Sequence, residues 1–324
     1  MTQQPESTQR TPDEVRRLAV GRGDALNLNR IMVPLDGSRR AEQILPFASM
    51  IADWFSGEIT LFHALPPTHP ARGARPGHVH YPDAPHDRGT ALAVAYLEEV
   101  VSRLGPHGVR SRWGVATGDA VSMITSRSAT SSFGVVAVAI TPRSRKRRLL
   151  SPGLLDELWK STAVPLLIAD PRQVGLNGTP PMAPKTLIVP VGRGMTDSAR
   201  SIASALAGAS RSVLKLVMPG EAPDELAENE LLSAFSDDGV FAEIERAGGG
   251  LVEYVRELQS AEPGSWLVVG SKMRSGISRS VLGSAADRLV RDGDGPVIVV
   301  PDPKVGRRRL RSAHDATRDL ATSL

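Results

Sequence analysis

The strongest constraint on the fold is an internal duplication whose period is the length of one ordinary domain. The first copy opens with the strand-like segment RIMVPLDGS (Arg30–Ser38), and the second opens with KTLIVPVGRG (Lys185–Gly194). The copies close with AVPLLIADP (Ala163–Pro171) and GPVIVVPDP (Gly295–Pro303). A period this long indicates a duplicated domain, whereas a solenoid would repeat every few tens of residues. The chain is therefore predicted to fold as two similar domains in tandem.

The duplication divides the 324-residue chain into five parts. The first part is polar and unpatterned, and the segment between the copies, RQVGLNGTPPMAP, is rich in proline and glycine, as linkers are. We predict a flexible N-terminal arm at 1–28, domain 1 at 29–171, a linker at 172–184, domain 2 at 185–303 and a basic C-terminal tail at 304–324.

Apolar runs of strand length alternate with segments of helical periodicity in both copies. Val135–Ile140 and Trp266–Gly270 are continuous apolar runs, and each precedes a helical pattern, Leu154–Lys160 or Ser284–Val290. Continuous apolar strands are typical of parallel sheets covered on both faces, and right-handed crossovers then produce a doubly wound sheet. The predicted fold class is α/β, with two tandem doubly wound, Rossmann-like domains, each a mainly parallel five-stranded sheet flanked by helices.

Two local expectations follow from the same periodicity. In the first copy, Ser38 is predicted to cap one helix that runs through Ile51. In the second copy, the helical patterns Glu225–Phe235 and Leu251–Gln259 are predicted with no strand between them.

Composition excludes several classes of protein. Hydrophobic residues make up 41% of the chain and aromatic residues only 4%, which predicts aliphatic cores. The absence of cysteine excludes disulfides, thiol catalysis and thiolate metal sites. No apolar run is long enough for a membrane span, and the polar N-terminus does not resemble a secretory signal. We expect a cytoplasmic protein with no membrane partner.

The net charge of +4 is concentrated in two basic blocks, Pro142–Arg148 (PRSRKRR) and Lys304–Arg311 (KVGRRRLR). The favoured interpretation is a solvated loop and a disordered tail. The alternative is a surface for a polyanion or an acidic partner. No aromatic residue lies within either block, which argues against stacking on single strands, so a nucleic acid partner is not expected.

The segment that follows the strand Trp266–Gly270 has features of a phosphate site. Gly270 and Gly276 permit a close approach of the backbone, and Gly283-Ser284 opens a helix whose free N–H groups favour an anion. Further positive charge comes from Lys272, Arg274 and Arg279. This combination would suit a diphosphate or triphosphate.

By its duplicated α/β pattern and this glycine-containing segment, the chain resembles the universal stress protein family over both copies, from about Leu28 to Pro303. The nucleotide-binding branch of that family has an aspartate after its first strand, which Asp36 matches. It also has a loop of the form Gly, two residues, Gly, nine residues, Gly-Ser/Thr. Gly270, Gly283 and Ser284 match three positions of that loop, and Ser271 lies within it. The resemblance implies regulatory binding of ATP, with Mg²⁺ accompanying the nucleotide.

Neither copy retains both halves of the family's site. In the second copy, Gly192 replaces the aspartate and Met273 replaces the middle glycine. The first copy has Ala139, Pro142 and Pro152 at the glycine positions and Gly153 at the Ser/Thr position. Because proline lacks a backbone donor, we expect the nucleotide in domain 2. The rival hypothesis is a ligand-free stress-response module that acts through its surfaces.

Alternatives without a ligand also fit the single motifs. Asp36-Gly37-Ser38 is an ordinary turn between strand and helix, and Ser284 is an ordinary helix cap. Catalytic residues are not predicted, because ATP hydrolysis needs a metal ligand and a water-orienting group, whereas the retained loop offers only cations and hydroxyls. Weak ATP hydrolysis remains an open alternative. No metal site is predicted either, because the histidine-rich segment has irregular spacing in a mobile setting: His69, His78, His80, Asp83, His86 and Asp87.

The duplication also predicts how the domains associate. Isolated domains of the family pair through their last strands, so the resemblance implies an intramolecular pseudo-dimer here. The strands concerned are Pro165–Ala169 and Val297–Val300. The linker keeps the two copies at a high effective concentration. Further homo-oligomers and a protein partner of unknown identity remain open.

Overall fold

A computed structural model describes residues 27–67, 84–139, 154–170, 182–191, 196–220, 225–271 and 284–322. These residues form two compact units. One unit contains the first sequence copy together with residues 303–322, and the other contains the second copy up to residue 302.

Domain 1 is built on a parallel sheet with the strand order β3-β2-β1-β4-β5. Its strands are β1 (Arg30–Pro34), β2 (Glu58–Leu65), β3 (Arg110–Thr117), β4 (Val135–Ala139) and β5 (Leu166–Ala169). Its helices are α1 (Arg39–Glu42), α2 (Leu45–Trp54), α3 (Ala84–Leu104), α4 (Ala120–Thr130) and α5 (Leu154–Ser161), with a 3-10 turn at Gly105–His107.

Domain 2 repeats this topology with the strand order β8-β7-β6-β9-β10, again parallel throughout. Its strands are β6 (Thr186–Pro190), β7 (Val213–Pro219), β8 (Ala242–Ala247), β9 (Trp266–Ser271) and β10 (Val297–Pro301). Its helices are α6 (Asp197–Ser210), α7 (Glu225–Asp237), α8 (Leu251–Ala261) and α9 (Ser284–Asp292), and α10 (Pro303–Thr322) follows. The predicted fold class is confirmed.

The central strands of both sheets are buried over nearly their whole length. In β4, the residues Val135–Val138 are all buried, and in β9 the residues Trp266–Val269 are buried as well. Strands covered on both faces have no solvent-facing side, which explains why their sequences are apolar without alternation. The cores are mainly aliphatic. Their largest fully buried side chains include Phe47, Phe62 and Trp266.

Two of the local predictions were wrong. The helix expected from Ser38 through Ile51 is broken, because α1 ends at Glu42 and α2 begins at Leu45 with Pro46 in its first turn. Proline has no N–H to continue the α1 ladder, but it fits the first turn of a new helix. The second error is the missed β8, whose six residues AEIERA include three charged side chains and are mostly only partly buried. It lies at the edge of the sheet and pairs only with β7.

The basic C-terminal segment also differs from the prediction, because it is helical and packed where a disordered tail was expected. Helix α10 packs against α4 of domain 1. Arg309 donates from one guanidinium nitrogen to the carbonyl oxygens of Trp159 (3.1 Å) and Thr162 (2.6 Å), at the end of α5. Gly306 is buried, and a Cβ added there would lie 3.1 Å from the carbonyl oxygen of Ala163. A cation at a helix C-terminus satisfies carbonyls that lack intrahelical donors.

Candidate functional site

The topology places one ligand crevice at the carboxyl ends of two strands in each domain. In domain 1 the strands up to β3 are added on one side of β1, and β4 is added on its other side, so the direction of strand order reverses between β1 and β4. The same reversal occurs between β6 and β9 in domain 2. In a doubly wound sheet, ligands bind beyond the strand ends at this switch point. The residues that follow β1, β4, β6 and β9 therefore decide what each domain can hold.

In domain 1, Asp36 lies at the switch point and stabilises its own turn. Its Oδ1 accepts a hydrogen bond from the Ser38 N–H at 2.9 Å, and Gly37 supplies the left-handed conformation between them (φ +85°). Ser38 then caps α1, because its Oγ accepts a hydrogen bond from the Ala41 N–H at 3.1 Å. Partial burial acts to raise the pKa of Asp36, but the hydrogen bonds from Ser38 outweigh it and hold this pKa below its ordinary value. The carboxylate is exposed and charged at neutral pH.

A polar cluster from three further elements lies beside this turn. The Tyr96 hydroxyl donates to Glu42 Oε1 at 3.0 Å, and Arg103 donates to Glu42 Oε2 at 2.7 Å. The ring of His63 meets the ring of Tyr96 edge-on, with 6.5 Å between centroids. Burial, together with the charge of Glu42, raises the pKa of Tyr96, so its hydroxyl stays protonated. His63 Nδ1 is buried, and none of the described residues hydrogen-bonds to it.

The sequence did not reveal this cluster, and only part of it carried a signal. His63 interrupts the apolar run EITLFHAL near the carboxyl end of β2, one residue beyond the pair Pro34–Phe62 in the sheet register. A polar residue at that place could have been recognised as a crevice residue. Tyr96 and Glu42 come from helices far apart in sequence, and no spacing rule joins them.

The replaced phosphate loop of domain 1 can be followed only to its start. Ala139 ends β4 and is partly exposed. Pro142, Pro152, Gly153 and the whole basic block Pro142–Arg148 lie outside the described residues.

In domain 2, Gly270 lies at the corresponding end of β9 and faces the start of α6. A Cβ added to Gly270 would lie 3.5 Å from the Ala199 Cβ and 3.9 Å from the Thr196 Oγ1. These are ordinary contact distances, and the φ of Gly270 lies outside the left-handed range. The backbone therefore does not require glycine here. The missing side chain instead leaves a gap between β9 and α6 that a Cβ would close to contact distance.

The start of α6 forms the opposite wall of this crevice. Thr196 caps the helix, with its Oγ1 accepting a hydrogen bond from the Ala199 N–H at 3.2 Å. Asp197 lies in the first turn and is exposed. A carboxylate at a helix N-terminus is stabilised by the helix dipole and repels a second anion. A neutral part of a ligand, such as a base or a sugar, therefore fits this wall better than a phosphate.

The other predicted residues of domain 2 lie where β9 ends and α9 begins. Ser271 is the last residue of β9, and Ser284 is the first residue of α9. In the first turn of α9, Asp287 is held by Arg291, whose Nε lies 2.6 Å from Asp287 Oδ1. Because this pair neutralises the acidic charge, the free N–H groups of α9 remain suited to an anion. Gly283 and the loop 272–282 lie outside the described residues, as does Gly192.

Asp36 and the loop residues belong to different domains. Asp36 follows β1 in domain 1, whereas Gly270 and Ser271 end β9 in domain 2. Each group is therefore at the switch point of its own domain. In domain 2, Gly192 occupies the sequence position that corresponds to Asp36, so that copy lacks the carboxylate of the family's pattern.

Other kinds of site have little support among the described residues. No group of three or more histidine, aspartate or glutamate side chains within that part of the chain could hold a metal ion. Most of the histidine-rich segment, including His69, His78 and His80, lies outside it. No described helix is both long and apolar enough to cross a membrane.

Comparison with known proteins agrees with this geometry. A search among curated proteins gives no match. Among solved structures, a universal stress protein from Archaeoglobus fulgidus is 16% identical, with a TM-score of 0.67 over 85% of this chain and 99% of that one. The crystal structure of a putative universal stress protein from Pseudomonas aeruginosa is 16% identical, with a TM-score of 0.62 over 90% of this chain and all of the other. At this identity the structures show a shared fold.

The family assignment comes from the sequence model of the universal stress protein family. That model matches residues 27–170 and again residues 199–301, which is one match for each copy of the duplication. The two matches together cover more than half of the chain. The chain therefore belongs to the universal stress protein family and carries its domain twice.

Proposed function

We propose that this protein is a stress-response regulator whose second domain binds an ATP-type nucleotide. The crevice lies between the end of β9, the start of α6 and the start of α9. The observation that carries the proposal is Gly270, where a side chain would fill the space beside Thr196 and Ala199 although the backbone needs no glycine. A glycine whose backbone conformation does not require one still lets a ligand approach the backbone closely, which a side chain would prevent.

The electrostatics of the crevice suggest how the nucleotide would lie. The acidic first turn of α6 favours the base or the ribose, and the start of α9 favours the phosphates. Backbone N–H groups and hydroxyls can hold phosphates, and they do so without a protein-bound metal. Any Mg²⁺ would therefore enter with the nucleotide, bound to its phosphates. We assign no catalytic residue and propose that the nucleotide is a regulatory ligand.

Equilibrium binding of a fluorescent ATP analogue to the full chain tests the proposal, with and without Mg²⁺. Gly270→Val keeps a residue type suited to a strand but fills the crevice, so we expect binding to fall at least tenfold. The same loss is expected for Gly283→Val. Gly248→Val is the matched control, because a Cβ at Gly248 meets nothing within 4 Å. Asp36→Ala should leave binding nearly unchanged.

The rival function, a ligand-free interaction module, gives a different result in the same titration. It predicts no saturable binding by the wild-type chain at any Mg²⁺ concentration. Binding that survives Gly270→Val and Gly283→Val but disappears with Asp36→Ala would instead place the ligand in domain 1. Either outcome would refute the proposed site.

A further inference from the structure

The C-terminal helix α10 presents a serine on its exposed side. The side turned towards domain 1 includes Gly306, Arg309 and Leu310, which are buried or partly buried. The other side carries exposed residues at a spacing of i, i+3, i+4 and i+7, which lie together on one side of a helix: Arg308, Arg311, Ser312 and Asp315. The hydroxyl of Ser312 is therefore on the surface of a docked helix.

The surroundings of Ser312 are mainly cationic. Arg308 lies one turn before it on the same side of α10, and Arg311 is its neighbour in the sequence. Neither arginine has an ion-pair partner among the described residues. Asp315 is the only acidic residue within four positions of Ser312 in the sequence. Two unpaired guanidinium groups thus outweigh one carboxylate around this hydroxyl.

A second helical serine has the same backbone setting and different charges around it. Ser260 on α8 is also exposed, and its Oγ donates to the carbonyl oxygen of Arg256 at 3.0 Å. The Ser312 Oγ donates to the carbonyl oxygen of Arg308 at 3.2 Å in the same way. The Ser260 Oγ also lies 3.3 Å from Asp294 Oδ2, so a carboxylate borders it directly. Ser260 is therefore the natural reference for Ser312.

We propose that Ser312 is a phosphorylation site for a serine/threonine kinase that recognises basic side chains before its acceptor residue. Kinases select their substrates partly by such charge patterns. In the reaction the Ser312 Oγ forms a bond to the γ-phosphorus of ATP, and the bond from that phosphorus to the β,γ-bridging oxygen breaks. ADP leaves, and the hydroxyl proton passes to the catalytic base of the kinase. The acidic neighbour of Ser260 disfavours the same kinase there.

The order of residues along α10 lets a kinase reach Ser312 without undocking the helix. Arg309 donates to the carbonyl oxygens of Trp159 and Thr162 on domain 1, and it precedes Ser312 in the sequence. Helices open most easily from their ends. Opening α10 from its C-terminal end can present Ser312 in an extended chain while Arg309 keeps its contacts.

The phosphate would strengthen the docking of α10. A phosphoserine carries a charge of about −1.5 to −2 at pH 7, and Arg308 is one turn away from it. Burial, and then the charge of Arg308, lowers the pKa of Arg309 to about 10, so Arg308 disfavours the charged form of the anchoring side chain. An ion pair between Arg308 and the phosphate offsets that repulsion. Phosphorylation therefore removes the positive charge from the exposed side and leaves the helix docked.

Phosphorylation of the full chain with Mg-ATP and the catalytic subunit of cAMP-dependent protein kinase tests the proposal, with peptide mass spectrometry to locate the phosphate. We expect the initial rate at Ser312 to exceed that at Ser260 by about tenfold or more. Replacing Arg308 and Arg311 by glutamine should lower the rate at Ser312 by a similar factor. The control replaces Arg88 and Lys185, two exposed cations elsewhere, by glutamine and should leave that rate unchanged.

Hydrogen exchange of the phosphorylated chain tests the effect on docking, and exchange at residues 154–170 should be equal or slower. Several outcomes would overturn the proposal. Equal rates at Ser260 and Ser312, or no phosphate at Ser312, would show that the cationic setting does not make an acceptor site. Equal loss of rate in the two glutamine variants would assign the effect to net charge. Faster exchange at 154–170 after phosphorylation would show that the phosphate releases α10.

Discussion

Removal of the Arg309 side chain should loosen domain 1, although Arg309 follows domain 2 in the sequence. In Arg309→Ala, the carbonyl oxygens of Trp159 and Thr162 lose donors at 3.1 and 2.6 Å. Hydrogen bonds from a charged donor contribute about 1.5–3 kcal/mol each, and water can replace part of that at a half-buried site. We therefore expect a loss of about 2–3 kcal/mol in the local stability of α5.

Hydrogen exchange measured by mass spectrometry can detect this loss. A change of 2–3 kcal/mol in the free energy of local opening corresponds to a roughly 30- to 150-fold faster exchange. The faster exchange should appear in peptides that cover α5 and β5 and be absent from peptides of β6–β10. Arg308→Ala is the matched control, because Arg308 is adjacent and exposed. Equal exchange in the two variants would refute the role given to Arg309.

Three further predictions concern the fold and the turn at Asp36. Gly57→Ala should cost about 1–3 kcal/mol in urea unfolding because its Cβ would overlap the backbone oxygen of Asn29, whereas Gly105→Ala, with nothing within 4 Å, should be nearly neutral. Asp119→Ala should cost about 1 kcal/mol, because Asp119 caps α4 through the Ser122 N–H at 2.9 Å. Asp36→Asn should destabilise the protein at neutral pH but not at pH 2, because the pKa of Asp36 is lowered in the fold. A lowered carboxyl pKa gives stability that is present above the unfolded pKa and is lost as pH falls through the folded pKa, so a stability difference that does not shrink in acid would contradict the assignment.

Most of the sheet could be predicted from the sequence because buried parallel strands leave a strong local signal. The runs that form β1, β4, β6 and β9 are continuous and apolar. The same order of elements also occurs in both copies, so each copy supports the prediction made for the other. The edge strand β8 gave no such signal, because one neighbour and partial exposure allow charged residues along it. The break between α1 and α2 was encoded by Pro46, but the apolar spacing on both sides of it suggested one helix.

The parts of the site that the sequence missed depend on contacts between distant elements. His63, Tyr96 and Glu42 come from β2, α3 and α1, and their association follows from the tertiary fold alone. Helix α10 was missed for the same reason, because its docking depends on Arg309 meeting carbonyls about 150 residues earlier in the chain. A run of cations by itself is typical of a solvated tail. The pairing of the two copies and any further self-association stay predictions from the duplication.

The central claim, nucleotide binding in domain 2, is tested most directly by hydrogen exchange of the full chain with and without saturating ATP and Mg²⁺. We predict slower exchange in peptides covering the start of α6 (196–204), the end of β9 (266–271) and the start of α9 (284–290). Exchange in the peptide 30–42, which contains Asp36, should not change. Protection confined to 30–42, or no protection anywhere at saturating ATP, would contradict the account.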